Sequence, residues 1–351
     1  MHRVLAALKS TRDDDTKRSF VPQVDSTPLE IPEGGVQAAH TGDAFITPAR
    51  RSPDGAGSSA GDEDTGWGLG AYKRLLGLKR KGGDEEAGPR SRVLCVASGK
   101  GGTGKSVLAT NLATLRSRRG ERVLLVDFDA GLANAHLLLG LAPDYDLSHV
   151  MQGQVQAEDA LVEGPEGLML LSGGVGRHNL ANPTRRELDR LFKALRPLES
   201  QFDLIIIDHG AGLGYATVTH LAATSTLLLV TNHEVTALSD SYALYKRAHL
   251  VNSEIRVGLV VNRVPDEKRA LAAWERFQSA SERFLGHSPE YIGWVLADPA
   301  VHRSVEARVP VTLLEPHSQA ANDIDVVSRW APIDSAQGEK PFFECARSAL
   351  R

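Results

Sequence analysis

The sequence predicts an α/β domain, a largely parallel twisted sheet with helices on both faces, preceded by a mostly disordered N-terminal extension. Three observations carry that reading. From residue 91 to about residue 331, short β-rich apolar runs alternate with amphipathic helical stretches, the pattern of strands buried on both faces. The first run leads into a glycine-dense loop, and several later runs end in aspartate or asparagine; ligands on such sheets bind at the carboxyl ends of the strands. Residues 1–90, by contrast, show little apolar periodicity.

The chain has 351 residues, enough for one large α/β domain plus added segments. A formal net charge of −4 and an apolar fraction of 42% give no general signal for nucleic acid or acidic substrates. Two cysteines, Cys95 and Cys345, argue for a reducing compartment and against a disulfide framework. No apolar run reaches the roughly 18 residues of a spanning helix, and the N-terminus lacks the apolar core of a signal peptide. The expectation is a cytoplasmic protein with peripheral contact at the inner face of the cell membrane at most.

In chain order, the extension 1–90 holds acidic and basic clusters, prolines and a glycine–serine stretch, and cannot bury enough surface to offset its ordering entropy. Within it, residues 66–81 mix Trp67, Leu75, Leu76 and Leu78 with five basic residues, fitting either a docking or membrane-surface element or a basic linker. The domain at 91–331 has strand candidates at 93–97, 122–127, 168–171, 204–208, 225–231, 257–262 and 291–296. The tail, 332–351, closes on a helical pattern that puts Phe342, Phe343, Cys345, Ala346 and Leu350 on one face. That face suits either weak membrane binding or packing on the domain itself.

The loop after the first strand reads Gly99-Lys100-Gly101-Gly102-Thr103-Gly104-Lys105-Ser106, with Val107 continuing into a helix. Glycines let successive backbone N–H groups turn toward phosphate oxygens, Lys105 reaches the β/γ-phosphates, and the Ser106 hydroxyl can ligate Mg²⁺. The helix N-terminus adds its positive end to the same anion site. The second run ends at Asp127-Phe128-Asp129, whose carboxylates alternation places on one side, facing the loop. Two carboxylates there suit water-mediated Mg²⁺ coordination and orientation of a hydrolytic water, while either could instead cap the next helix. Asp208 ends the fourth run after three isoleucines; a metal-water partner is the economical reason for an acid there. Ser239 or Asp240 fits as the cap of the helix after the fifth run, at 225–231. Asn262, at the end of its run before Arg263, suits either bidentate pairing with an adenine edge or a simple turn.

The second lysine, Lys100, has no place in an ordinary phosphate loop, and Lys100-Gly-Gly-Thr-Gly-Lys105-Ser resembles the deviant phosphate loop of the MinD/ParA family of dimerising ATPases. The resemblance implies ATP and Mg²⁺ as cofactors, an ATP-dependent homodimer, and Lys100 reaching across it to the partner's nucleotide. It further implies that Asp129 positions the attacking water, that Asp127 and Asp208 serve Mg²⁺ through water beside Ser106, and that Asn262 and Arg263 contact the base region. Asp129, Lys100 and Lys105 are the catalytic candidates. Gly131-Leu-Ala-Asn134 and Thr236-Ala-Leu-Ser-Asp240-Ser-Tyr-Ala243 are most similar to the FlhG/FleN (YlxH) flagellar-number branch. Its partners would be an FlhF-like GTPase, a flagellar transcription activator or a switch-complex protein. The branch's N-terminal Asp-Gln-Ala-x-x-Leu-Arg motif is absent, His209 stands where Thr or Ser is usual, and Leu296 replaces a proline. The alternatives are a MinD-type division regulator, a ParA-type partition ATPase, which the lack of a concentrated basic block disfavours, and a nucleotide-binding scaffold with negligible turnover.

Overall fold

In the computed structural model, residues 91–129, 133–174, 183–330, 332 and 340–350 are described here. The extension with its patch at 66–81, and residues 130–132 of the segment after Asp129, lie outside them. The sheet has eight strands in the order β3-β4-β2-β5-β1-β6-β7-β8. They are β1 Arg92–Ala97, β2 Val123–Phe128, β3 Leu161–Glu163, β4 Met169–Leu171, β5 Leu204–His209, β6 Thr226–Thr231, β7 Arg256–Val264 and β8 Glu290–Leu296. All pairings are parallel except β3 with β4. The seven predicted strands are therefore present, and the edge strand β3 is an addition.

The helices are α1 Lys105–Arg118, α2 Ala135–Leu138, α3 Leu147–Gln152, α4 Arg185–Leu195, α5 Tyr215–Ala223, α6 Val235–Val251, α7 Glu267–Leu285, α8 Pro299–Ala307, α9 Val311–Leu314, α10 Gln319–Ser328 and α11 Phe342–Ala349. Two apolar layers lie on opposite faces of the sheet. On one, Val93, Cys95, Ile205, Ile207, Leu124 and Val126 pack with residues of α4 to α7 and α11. On the other, Leu94, Val96, Ile206 and Leu125 pack with α1 and α10. Strand alternation produces this partition, and it also decides where the strand-end residues point. Asp127 and Asp208 continue the α1 side, whereas Phe128 and His209 continue the α4–α5 side.

Candidate phosphate site

The loop between β1 and α1 is held by backbone and side-chain contacts that follow from its glycines. A Cβ at Gly99 would lie 2.1 Å from the main-chain carbon of Asp240, so only glycine lets the loop pass α6 this closely. Gly104 has φ of 85° at the N-cap of α1, a left-handed conformation that favours glycine, and a Cβ there would meet Asn262 Nδ2 at 2.4 Å. No acidic residue occupies the first turn of α1, so its positive end faces the loop uncompensated. Gly101 and Gly102 are exposed, Thr103 is buried, and Ser106 and Val107 are half-buried on the first turn.

The two lysines are placed differently. Lys105 Nζ is buried, 2.5 Å from Asp208 Oδ1 and 3.0 Å from Ser106 Oγ. Lys100 lies at the rim, donating to Glu234 Oε2 at 2.7 Å and Thr236 Oγ1 at 3.0 Å. Glu234 is the N-cap position of α6, without a side-chain cap bond. That helix starts at Val235, so Ser239 and Asp240, expected at its cap, lie within it instead. The sequence Val235-Thr-Ala-Leu is compatible with helix from its first residue, and the polar pair marks no boundary.

Asp127 and Asp208 are neighbours across the β2–β5 ladder and both fully buried. Asp127 Oδ1 accepts the Asp129 amide and Oδ2 accepts the Ala135 amide, both at 3.0 Å. Asp127 therefore ties down both ends of the segment that carries Asp129. Burial, with Asp208 alongside, pushes the Asp127 carboxyl up to about 7. Burial likewise raises Asp208, opposed by Lys105. The Asp129 carboxylate sits over Gly210, where an added Cβ would be 3.3 Å from Oδ1. Gly212 N in turn donates to Ser98 O at 3.0 Å, so the segment after β5 is anchored to the end of β1.

Asn262 and Arg263 reach the loop because the β7–β8 ladder is irregular there and Arg263 adopts φ of 55°. Asn262 Nδ2 donates to Thr103 O at 2.7 Å and Arg263 Nη1 donates to Gly102 O at 2.6 Å. Both predicted base-region residues thus brace two consecutive loop carbonyls, a task the sequence did not reveal.

His209 does not substitute for a hydroxyl at the site. Alternation turns its ring away from the loop into a box with Phe128, His220, Phe192, Phe342 and Phe343, where its Nε2 has no hydrogen-bond partner. Burial holds His209 well below the ordinary histidine range, and holds His220 down to about 3. Both rings are neutral at pH 7. His220, whose two ring nitrogens both lack partners, was missed in the sequence because no motif marks it. The tail helix α11 forms where its pattern predicts, with Phe342, Phe343, Ala346 and Leu350 buried in the α4–α5 layer and Cys345 half-buried.

Whether this site suits a nucleotide and Mg²⁺ is tested by its own polar atoms. Asp208 Oδ2 and Thr103 Oγ1 are buried without a hydrogen-bond partner beside Lys105 and Ser106. A carboxylate oxygen in that position fits a hydrated cation, and the glycine loop at the N-terminus of α1 fits phosphates. Among the described residues, no three metal-ligating side chains converge on their own. No helix among them is long and apolar enough to cross a membrane.

Comparison with known proteins agrees with this geometry. A family profile described as an AAA domain matches residues 91–261. The chain is 30% identical to the antiactivator FleN of Pseudomonas aeruginosa over 72% of this chain and 91% of that one. It is 28% identical to the flagellum site-determining protein YlxH of Helicobacter pylori over 68% and 81%. Among solved structures, the cell division ATPase MinD of Pyrococcus furiosus superposes with a TM-score of 0.58 at 28% identity, covering 68% of this chain and 97% of that one. The septum site-determining protein MinD of Pyrococcus horikoshii, complexed with Mg-ADP, superposes with a TM-score of 0.58 at 26% identity, covering 68% and 94%.

Proposed function

The chain belongs to the MinD/ParA family of ATPases, on its FleN/FlhG side, and from that premise we propose that it is an ATP-driven dimerising switch controlling flagellar number or placement. The observation that carries this reading is the division of labour between the two loop lysines. Lys105 is buried against Asp208, while Lys100 stands partly exposed at the rim, paired with Glu234, which supports one lysine serving its own chain's phosphates and the other a second copy's.

When bound, Mg²⁺ offsets charge on the phosphate oxygens. The chain's own residues do the rest. Loop amides and the N-terminus of α1 would hold the phosphates, Lys105 would reach the β/γ-phosphates, and Ser106, with Asp127 and Asp208 through water, would hold the cation. Asp129, seated over Gly210, orients the attacking water, and Lys100 of each copy serves its partner's site. Asn262 and Arg263, besides bracing the loop, border the base. The tail helix, which packs on the domain, would be released in the ATP dimer to a membrane surface or a flagellar partner, such as an FlhF-like GTPase, a transcription activator or a switch-complex protein.

The test is sedimentation of the purified chain with ADP or ATP, with and without anionic liposomes, alongside phosphate release. ATP should produce a dimer, Asp129→Ala should hold that dimer while lowering turnover at least about tenfold, and deleting 340–351 should abolish liposome binding. Equal phosphate release by wild type and Asp129→Ala would leave only a scaffold. An ATP dimer that ignores liposomes would move the search to a protein platform.

A further inference from the structure

The tail helix α11 begins at Phe342 after Pro341, which caps nothing with its side chain. Its first amides belong to Phe342 and Phe343, both buried, so they need acceptors from elsewhere. Glu199 supplies them: Oε2 accepts Phe342 N at 2.9 Å and Oε1 accepts Phe343 N at 2.8 Å. Glu199 belongs to the 3₁₀ turn Arg196–Ser200 and is only 2% exposed. Its main-chain oxygen accepts the Ser91 hydroxyl at the start of β1, which fixes the turn to the sheet.

We propose that Glu199 is a proton-linked latch: this carboxyl group, closed off from water by the docked tail, makes docking of α11 tighten as pH falls and loosen as pH rises. Beyond those two amides, the charged side chains nearby are largely paired with one another. Arg196, on the same turn, pairs with Glu344 of α11 at 3.2 Å, and Arg347 of α11 pairs with Asp189 of α4 at 2.9 Å. From α5, the ring of His220 faces Phe342 at 5.5 Å, and its burial keeps it neutral through this range. Ser91, just before β1, meets the main-chain oxygen of Glu199 with its hydroxyl.

With the tail docked, burial raises the Glu199 carboxyl to about 7 from its ordinary 4.5; the amides of Phe343 and Phe342 and then Arg196 oppose this, and Glu344 adds to it. Undocking exposes the group to water and returns it toward the ordinary value. A carboxyl whose docked value lies above its undocked one takes up a proton on docking between those two values. Docking is therefore strongest below the lower value and weakens as pH rises through the upper one. From pH 6 to pH 8 the docking constant should fall about tenfold.

Amide hydrogen exchange on the full-length, nucleotide-free protein reads this directly, because protection corrected for intrinsic rate reports the opening equilibrium. Protection of the 340–350 peptide should drop about tenfold from pH 6 to pH 8, while a β5 peptide serves as the control. Glu199→Gln, which keeps an acceptor without a titrating proton, should flatten the profile. A flat profile in wild type, an equal fall in Glu199→Gln, or a fall shared by β5 overturns the latch. If Glu199→Gln does not fold, carboxyl-carbon NMR of wild type against the 340–351 deletion decides, since the elevated titration should vanish with the tail. The latch regulates the tail movement of the proposed function, but this measurement uses neither nucleotide nor lipid, so the two can fail separately.

Discussion

Replacing Lys105 with alanine should destabilise the protein even in the absence of nucleotide, because this lysine is the counter-ion of a buried acid. Its Nζ lies 2.5 Å from Asp208 Oδ1, with side-chain exposures of 7% and 0%, and Asp127 is Asp208's partner across the strands. Removing one member of a buried pair leaves an uncompensated charge, a cost of about 3–5 kcal/mol. For a domain of this size that corresponds to a fall in Tm of roughly 10 °C. Burial already raises both carboxyls, and losing the lysine raises them further. A carboxyl whose folded-state value is raised disfavours folding as pH climbs through that value, so the deficit against wild type should be large at pH 8 and shrink toward pH 5. Thermal unfolding followed by circular dichroism at both pH values, in EDTA and without nucleotide, measures this. Adding Asp208→Asn to Lys105→Ala should recover most of the loss at pH 8. A Lys105→Ala protein that melts with wild type at pH 8 would refute the counter-ion role.

Other outcomes follow from single contacts. Gly99→Ala places a methyl 2.1 Å from the Asp240 main chain; the strain should cost about 1–3 kcal/mol in urea unfolding and weaken binding of a fluorescent ATP analogue by more than tenfold. His220 is buried neutral, held down to about 3 from 6.5. The unfolded chain thus binds a proton that the folded one refuses, and stability is lost as pH falls below about 6.5, by roughly 1.4 kcal/mol per pH unit until about 3. His220→Leu removes two unpartnered ring nitrogens, so it should be at least as stable as wild type at pH 7 and lose less stability down to pH 4.5 in denaturant titrations; a matching acid slope would count against the argument.

The sequence carried the strands because each is a run of β-rich apolar residues buried on both faces, and it carried the phosphate loop because glycine spacing and Lys105-Ser106 are local properties. β3 escaped because it is three residues long, half-exposed and antiparallel at an edge, so neither length nor apolar character distinguishes it. The bracing by Asn262 and Arg263 escaped because it depends on a ladder irregularity and on contacts about 160 residues apart along the chain. Alternation, which the sequence reading applied to Asp127 and Asp129, would also have turned His209 away from Asp208's side had it been applied to β5. Glu199 offered no local signal at all. A glutamate before a loop reads as surface until a helix from the far end of the chain comes to rest on it.

The two carbonyls clasped by Asn262 and Arg263 bear on how nucleotide arrives. With Gly102 O and Thr103 O pulled toward β7, the loop's curvature is fixed by the folded domain rather than by a ligand. The entropy of shaping a glycine-rich segment, about 1–2 kcal/mol per residue, is thereby settled during folding. The two clasps thus shape the cradle from within the domain, and loosening either one should show as a less favourable entropy of binding with little change in enthalpy.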